Sequence, residues 1–494
     1  MGCKVLYANP EEVLEEKEWE NIRKEIHKSA DQWLEKVREN MSKKKEELEK
    51  KSEGEKKKKY TLDEISQAVF EMRGELTGMI TQSMMMEIHK KDLNQESMVC
   101  PHCKRILKSR ELEKRTVETM VGAVNMERPY FYCTKCKEGF CPSDQSIGLS
   151  KRKKQWDIQK AGVRLAVELP YETASQLFKE LTGVSMSNHI MHEVTEEASK
   201  DLDVLAVSPG AEEIKERIKK ISAGKKRRPI LVLAIDGADV PTRPEEAKGQ
   251  RAGRKKERAK RKKWEGEWRE AKGYRFYLVE KGRIVHLVSW HQVQSDEGLK
   301  ESLRQIKESG LIPEEMVRMC IVADGAKWIW NLAEELFPDA AKILDYYHCS
   351  EHLHEVAALK FSGKPEEERE WVEATLARLF LGEIKNVISG LKRMKAVNQQ
   401  TSLSIEKLIG YLKNNQDRVN YGSAKKGGYP IGSGGIESAN KFISHVRLKR
   451  SGAWWYVEKA NSMLALRCAK YNGTFDKVIE LYRKNAHQKV DELL

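Results

Sequence analysis

The sequence predicts an α/β protein built on a mixed sheet, with a helical insertion and with small helical and cysteine-bearing modules ahead of it. Three observations carry this. Two apolar runs, Ile230–Ile235 and Met319–Ala323, each end on an aspartate, Asp236 and Asp324. A glycine-rich approach, Gly432-Ser-Gly-Gly435, leads into a helical stretch that opens with Glu437. From residue 229 onward strand-like and helix-like patterns alternate, as they do where helices cover a sheet. Two strand-end aspartates and a helix glutamate can converge at one sheet edge. Three carboxylates held together repel unless a cation lies between them. That geometry suits paired Mg2+ ions and phosphodiester chemistry.

A chain of 494 residues is long enough for about three domains of roughly 150 residues each. Its net charge of +14 favours a polyanionic partner over a small neutral ligand. No apolar stretch approaches the roughly 20 residues that span a bilayer, and the N-terminus has no apolar signal core. The expectation is a cytoplasmic, nucleoid-associated protein. Of nine cysteines, four form two CxxC pairs, which in a reducing compartment favours metal over disulfides.

Residues 1–94 read as a charged helical region. Val13, Trp19, Ile22, Ile26, Trp33 and Val37 recur at helical spacing, and Lys43–Lys59 is almost wholly polar. A pairing arm, a nucleic-acid-contacting arm and a solvated helix fading into a tether all fit, the last asking least of the residues. A second helix, 61–91, starts at the capping pattern Thr61-Leu-Asp-Glu64. Residues 95–149 read as a zinc ribbon. Cys100-Pro-His-Cys103 and Cys133-Thr-Lys-Cys136 flank β-like stretches, and four thiolates close a tetrahedral structural Zn2+ site. The alternative is two reduced, buried thiol pairs. Residues 150–204 read as a helical DNA-binding domain. The helix 170–183 ends on Gly183, and Ser185, Ser187, Asn188 and His189 open the next, in the manner of a helix-turn-helix. An ordinary helical hairpin is the alternative. Residues 205–228 read as a linker.

The first part of the core is expected over 229–347. After the first strand comes a basic insertion, Lys248–Lys272, with Lys255, Lys256, Lys262 and Lys263 as candidate phosphate contacts. Trp264 and Trp268 either stack on bases or pack the loop down. Runs 274–280 and 284–290, joined by Lys281-Gly-Arg283, signal a hairpin. A helix, a strand at 317–323, a helix and a short strand at 342–345 follow. Three strands, helix, strand, helix, strand is the order of an RNase H-like fold. A helical insertion is expected over 348–428, and the closing core helices over 429–494.

The blocks Ala234-Ile-Asp-Gly-Ala-Asp-Val-Pro241, Ala323-Asp-Gly-Ala-Lys-Trp-Ile-Trp-Asn331, Ile343-Leu-Asp-Tyr-Tyr-His-Cys-Ser-Glu-His-Leu353 and Pro430-Ile-Gly-Ser-Gly-Gly-Ile-Glu-Ser-Ala439 carry a resemblance. In this order the chain resembles the Kra group of bacterial insertion-sequence transposases, within the RNase H-like DDE superfamily. The tail Arg447-Leu-Lys-Arg-Ser-Gly452 with Trp454-Trp455 also matches. The resemblance spans roughly residues 95 to 475. It implies metal-dependent cleavage at transposon ends and strand transfer into target DNA. Asp236, Asp324 and Glu437 would hold two Mg2+ ions, with Mn2+ able to substitute. Asp345-Tyr-Tyr-His348 resembles a (C/D)xxH motif, so His348 would sit beside the site, oriented by Asp345; a structural histidine at a strand end is the alternative. Asp236, which ends the apolar run, is preferred over Asp239, read as lying in the loop beyond. Lys441 and Arg447 would bind phosphates near the reacting end. Double-stranded DNA and a homodimer or larger assembly are the expected partners. A non-catalytic transposase-derived DNA-binding protein and an RNase H-like nuclease are the competing classes.

Overall fold

The computed structural model describes residues 14–51, 59–245 and 265–491. The chain divides into two units, one of residues 1–198 with 480–494 and one of residues 199–479. No helix among the described residues is long and apolar enough to cross a membrane.

The first unit begins with two long helices packed on each other, α1 (Glu16–Lys51) and α2 (Leu62–Ile88). Thr61 and Glu64 form a full capping box at the start of α2, as the sequence predicts. Five strands follow: β1 (Ser97–Val99), β2 (Ile106–Lys108), β3 (Glu111–Thr119), β4 (Gly122–Cys133) and β5 (Glu138–Phe140). β1 pairs with β2, and β3, β4 and β5 form an antiparallel sheet. Three helices then pack together: α3 (Trp156–Ala166), α4 (Tyr171–Thr182) and α5 (Asn188–Ala198).

In the second unit the segment expected as a linker carries a helix, α6 (Ala211–Ser222). Its Ile214 and Ile218 are fully buried. Their four-residue spacing places both on one face, so this stretch packs instead of hinging. The main sheet contains β6 (Ile230–Thr242), β7 (Glu267–Glu280), β8 (Arg283–Val293), β9 (Arg318–Ala323) and β10 (Ala341–Leu344). Its order is β10-β9-β6-β7-β8. β6, β7 and β8 are antiparallel neighbours, whereas β6, β9 and β10 run parallel. The β7–β8 turn places both Lys281 and Gly282 at positive φ, 48° and 76°, the backbone of a two-residue turn matched to strand twist. Helices α7 (Asp296–Glu308) and α8 (Lys327–Leu336) make the crossovers.

Three strands exceed their predicted lengths, β8 by a few residues and β6 and β7 by more. β6 continues from Asp236 to Thr242, paired throughout with β7, which starts at Glu267. Asp239 is therefore a strand residue, not a loop residue. The parallel partner β9 aligns with β6 only as far as Ala234. Past that point one side of β6 is open, while β7 stays paired with β8 as far as Ala271 and the β6–β7 ribbon continues beyond it. The ribbon is held by distant pairing, and its buried apolar residues, Ala238, Val240 and Ala271, are too few and too scattered to form a local apolar run.

After β10 come α9 (Tyr346–Lys360), α10 (Pro365–Phe380), α11 (Ile384–Arg393), α12 (Gln399–Asn414) and α13 (Tyr421–Lys426), where the sequence predicts helices. The chain then returns to the sheet as α14 (Gly434–Asn440), which runs into a π-helical turn, Lys441–His445. α15 (Val457–Asn472) packs on β8, and a last helix, α16, spans Phe475–Asp491.

Candidate active site and metal centre

Asp236 lies where β6 loses its parallel neighbour, and Asp324 follows the last residue of β9. Both stand at the carboxyl ends of adjacent parallel strands, where open α/β sheets hold their ligands. The Asp324 Oδ1 accepts from the Ala326 amide at 2.9 Å, which orients the carboxylate in its turn.

Glu437 reaches the same place through α14, which packs on β6 and β7. Its approach is close because Gly435 has no side chain. A Cβ there would stand 2.6 Å from the Tyr277 ring. Buried Arg275 on β7 donates from Nη1 to the Gly435 carbonyl at 2.6 Å, fixing the helix start. The Ser433 hydroxyl donates to Glu437 Oε1 at 3.3 Å.

These acids share an electrostatic field. The Asp236 carboxyl is pushed up to about 6, by burial first, against a hydrogen bond from the Gly237 backbone. Asp324 and Glu437 raise it further, and His348 opposes them. Three carboxylates and an imidazole from β6, β9, α14 and α9 thus act on one point. Hard oxygen donors are the ligand type that divalent cations prefer, although these atoms are not gathered within 4.8 Å as the four cysteine sulfurs are. Asp239 is exposed and three residues on, so it points to the other strand face, where it acts on His445.

Asp345 is fully buried, and its role differs from the one expected. Its Oδ1 accepts from the backbone N–H of His348 at 2.8 Å, as the N-cap of α9, and its Oδ2 accepts from the Ser433 amide. It therefore orients the His348 backbone, not the ring, whose Nδ1 pairs with Glu351 at 3.3 Å. One buried carboxylate thereby ties the start of α9 to the approach of Glu437. Lys441 is exposed at the end of α14, available to a ligand. Arg447 is a correction: it is only 3% exposed, with its guanidinium over the Trp455 ring. A buried, stacked arginine is a packing group and not a surface phosphate contact. Trp268 is half exposed and edge-on to Trp454, so it packs on the ribbon end. Lys255, Lys256, Lys262, Lys263 and Trp264 lie outside the described residues.

Four residues escaped the sequence reading. Asn440 donates from Nδ2 to Asp236 Oδ2 at 2.8 Å, and its Oδ1 meets the Nε2 of fully buried His291 at 2.9 Å. Gly273 lies between them on β7. Tyr411, from α12, stacks over Gly325, where a Cβ would stand 2.2 Å from its ring. The Tyr411 hydroxyl is buried without a protein partner, and Asp324 contributes to raising it, behind burial and Cys349. A glycine directly after a strand-end aspartate was the available signal for that close approach.

The cysteine site is built from two equivalent knuckles. Lys104 and Lys137, each directly after a CxxC, have φ of 61° and 58°. Their amides return to the Cys100 and Cys133 carbonyls at 3.0 and 2.7 Å. Non-glycine residues adopt this conformation where surroundings enforce it. The result brings all four sulfurs, from Cys100, Cys103, Cys133 and Cys136, within 4.8 Å of one another. Among the described residues this is the one group of three or more metal-ligating atoms so closely gathered. The Cys136 amide is the largest influence lowering the Cys133 thiol, which favours the thiolate that a metal requires. The set can bind a metal such as zinc. His102 is engaged with Glu138 at 2.9 Å and is not needed as a ligand.

In the three-helix module Gly183 closes α4 at φ 71°, and Met186 is buried in the turn. Ser185, Ser187, Asn188 and His189 are exposed around the start of α5. Ser187 Oγ accepts from the Ile190 amide at 3.3 Å, and Asn188 reaches Glu172 at 3.3 Å. The basic run before α3 is partly neutralised in place, with Arg152 bonded to Glu193 and Glu197.

A family model described as "Uncharacterised protein family (UPF0236)" matches residues 56–485. The chain belongs to this family. The match takes in the cysteine knuckles, the three-helix module, all five strands of the main sheet and Glu437. No curated protein matches the chain.

Proposed function

We propose that this UPF0236 protein is a DNA transposase of the RNase H-like DDE type, similar to the Kra group, acting on double-stranded DNA. The observation that carries the reading is the convergence of Asp324 and Glu437 on half-buried Asp236 at the open carboxyl edge of the sheet. The strand order, three antiparallel strands followed by two parallel ones with helical crossovers, supports the RNase H-like assignment. So does the helical insertion between Asp324 and Glu437.

Asp236, Asp324 and Glu437 would hold Mg2+, or Mn2+ in its place. When bound, the ions activate the attacking oxygen and stabilise the leaving one at a scissile phosphate. The protein's own groups supply position. The Asp324 turn positions one carboxylate, the Arg275–Gly435 bond and the Asp345 clamp position the approach of Glu437, and Asn440 bonds Asp236. Lys441 offers a cation near the reacting phosphate. The insertion that carries Lys255, Lys256, Lys262 and Lys263 would grip backbone phosphates and make binding steeply salt-dependent. Ser187 and Asn188 would face DNA from the three-helix module. The zinc-type site would hold its own module rigid. Joining two element ends calls for a homodimer or a larger assembly.

The test is a cleavage and strand-transfer assay with Mg2+ on DNA carrying the inverted repeats that flank the coding sequence. Asp236→Ala, Asp324→Ala and Glu437→Ala should each abolish both steps while DNA binding persists. Full activity in any of the three removes that residue from the site.

A further inference from the structure

Asp236, Gly273 and His291 form one row across three strands. Asp236 pairs in register with Gly273, and Gly273 with His291. Directly paired residues project from the same face of a sheet. Gly273 leaves the middle of the row bare, and a Cβ there would fall 2.1 Å from His291 Cδ2. The His291 ring leans over this gap, and Asn440, arriving from α14, bridges its Nε2 to Asp236 Oδ2.

Hydrogen-bond chemistry fixes the direction of this chain. The Asn440 amide must turn its Nδ2 to the carboxylate, because its oxygen would repel one. That leaves Oδ1 toward His291, so Nε2 carries the proton and donates. Nδ1 is then a bare acceptor, and it is buried with no partner. A buried acceptor left unpaired costs about 1–3 kcal/mol. The Nε2 end of the imidazole is the one engaged, toward Asn440.

We infer that His291 and Asn440 are positioning residues for Asp236: the His291 Nε2–H locks the Asn440 amide, and the locked amide holds the carboxylate toward its cation. The inference rests on the acidic cluster being a cation site, and it assigns Gly273 the task of making room.

The test is Mn2+ binding to the full, zinc-loaded chain, read from the electron paramagnetic resonance of free Mn2+, with circular dichroism to confirm folding. Asp236→Ala is the reference and should abolish the tight site. Asn440→Ala and His291→Leu should each weaken it about 10-fold, the usual scale for groups that orient a ligand. His291→Gln, which keeps a donor near the Nε2 position, should restore affinity to near that of the parent. Parent-like binding by Asp236→Ala would remove the cation site itself. Loss in Asp236→Ala with parent affinity in both Asn440→Ala and His291→Leu would overturn the positioning role alone. Should Asn440→Ala not fold, the His291 pair decides: equal losses in His291→Leu and His291→Gln would show that the ring packs and does not donate.

Discussion

Asp236→Asn should stabilise the protein at neutral pH when divalent cations are absent. Asp236 is held at about 6, against 3.8 for an ordinary aspartate. At about 1.4 kcal/mol for each tenfold change in proton affinity, its ionisation costs the fold about 3 kcal/mol. The sign follows from which state loses its proton first. Below 3.8 the carboxyl is protonated in folded and unfolded chains alike and contributes nothing. Between 3.8 and about 6 the unfolded chain ionises first and stability falls. Above about 6 the full cost stands. The substitution removes the charge and keeps an oxygen that can accept from Asn440.

The assay is differential scanning calorimetry in resin-treated buffer. A chelator would strip the thiolate site as well. At pH 7.5 the transition of the sheet-containing unit should rise in Asp236→Asn by at most roughly 6 °C, at about 2 °C per kcal/mol for a unit of this size. At pH 4 the two proteins should unfold near the same temperature. Mg2+ at a hundredfold over its dissociation constant should stabilise the parent by about 2.7 kcal/mol and nearly erase the difference. A variant that unfolds at or below the parent at pH 7.5 without cations would refute the account. So would a gap of equal size at pH 4.

Three further outcomes are expected. Cys103→Ser should lower zinc per chain, measured by mass spectrometry, and abolish the thiolate-to-metal absorption of the cobalt-substituted protein. Gly435→Ala should destabilise the fold by about 1–3 kcal/mol in urea, because the new methyl meets the Tyr277 ring, whereas Gly434→Ala meets nothing within 4 Å and should change little. Asp345→Ala should cost about 2–4 kcal/mol by the same measurement, since it leaves the buried amide of Ser433 and the half-buried amide of His348 without an acceptor.

What the sequence revealed was local. A capping box at Thr61, a positive-φ turn at Lys281-Gly282 and paired CxxC knuckles each depend on a few adjacent residues, and each forms where its signature lies. Asp236 and Asp324 stand out because an apolar run stops at each. What escaped is non-local. The β6–β7 ribbon past Asp236 exists because Gly237–Thr242 pairs with Glu267–Lys272 across the insertion; the first stretch alternates only briefly, at Ala238 and Val240, and the second not at all. Arg447 reads as surface charge in the sequence, but Trp455 covers it. Asp345 and His348 are three residues apart, which suggests a side-chain pair, yet at a helix start that spacing sends the carboxylate to the backbone amide.

The row Asp236–Gly273–His291 shows what kind of signal would have reached further. No spacing rule links residues 236, 273, 291 and 440. An isolated glycine within an otherwise strong strand is nevertheless a readable anomaly, since it weakens the strand unless something must approach the backbone closely. Gly273 precedes Tyr274-Arg-Phe-Tyr277, a stretch of high strand propensity, and it stands opposite Asp236 in the hairpin register. The same reasoning applies to Gly325 beneath Tyr411 and to Gly435 beneath Tyr277. Each of the three acids therefore lies beside a glycine, in sequence or in register, that admits a supporting side chain. Positioned carboxylates need neighbours that come closer than a Cβ allows, so glycines inside regular elements mark where to look for them.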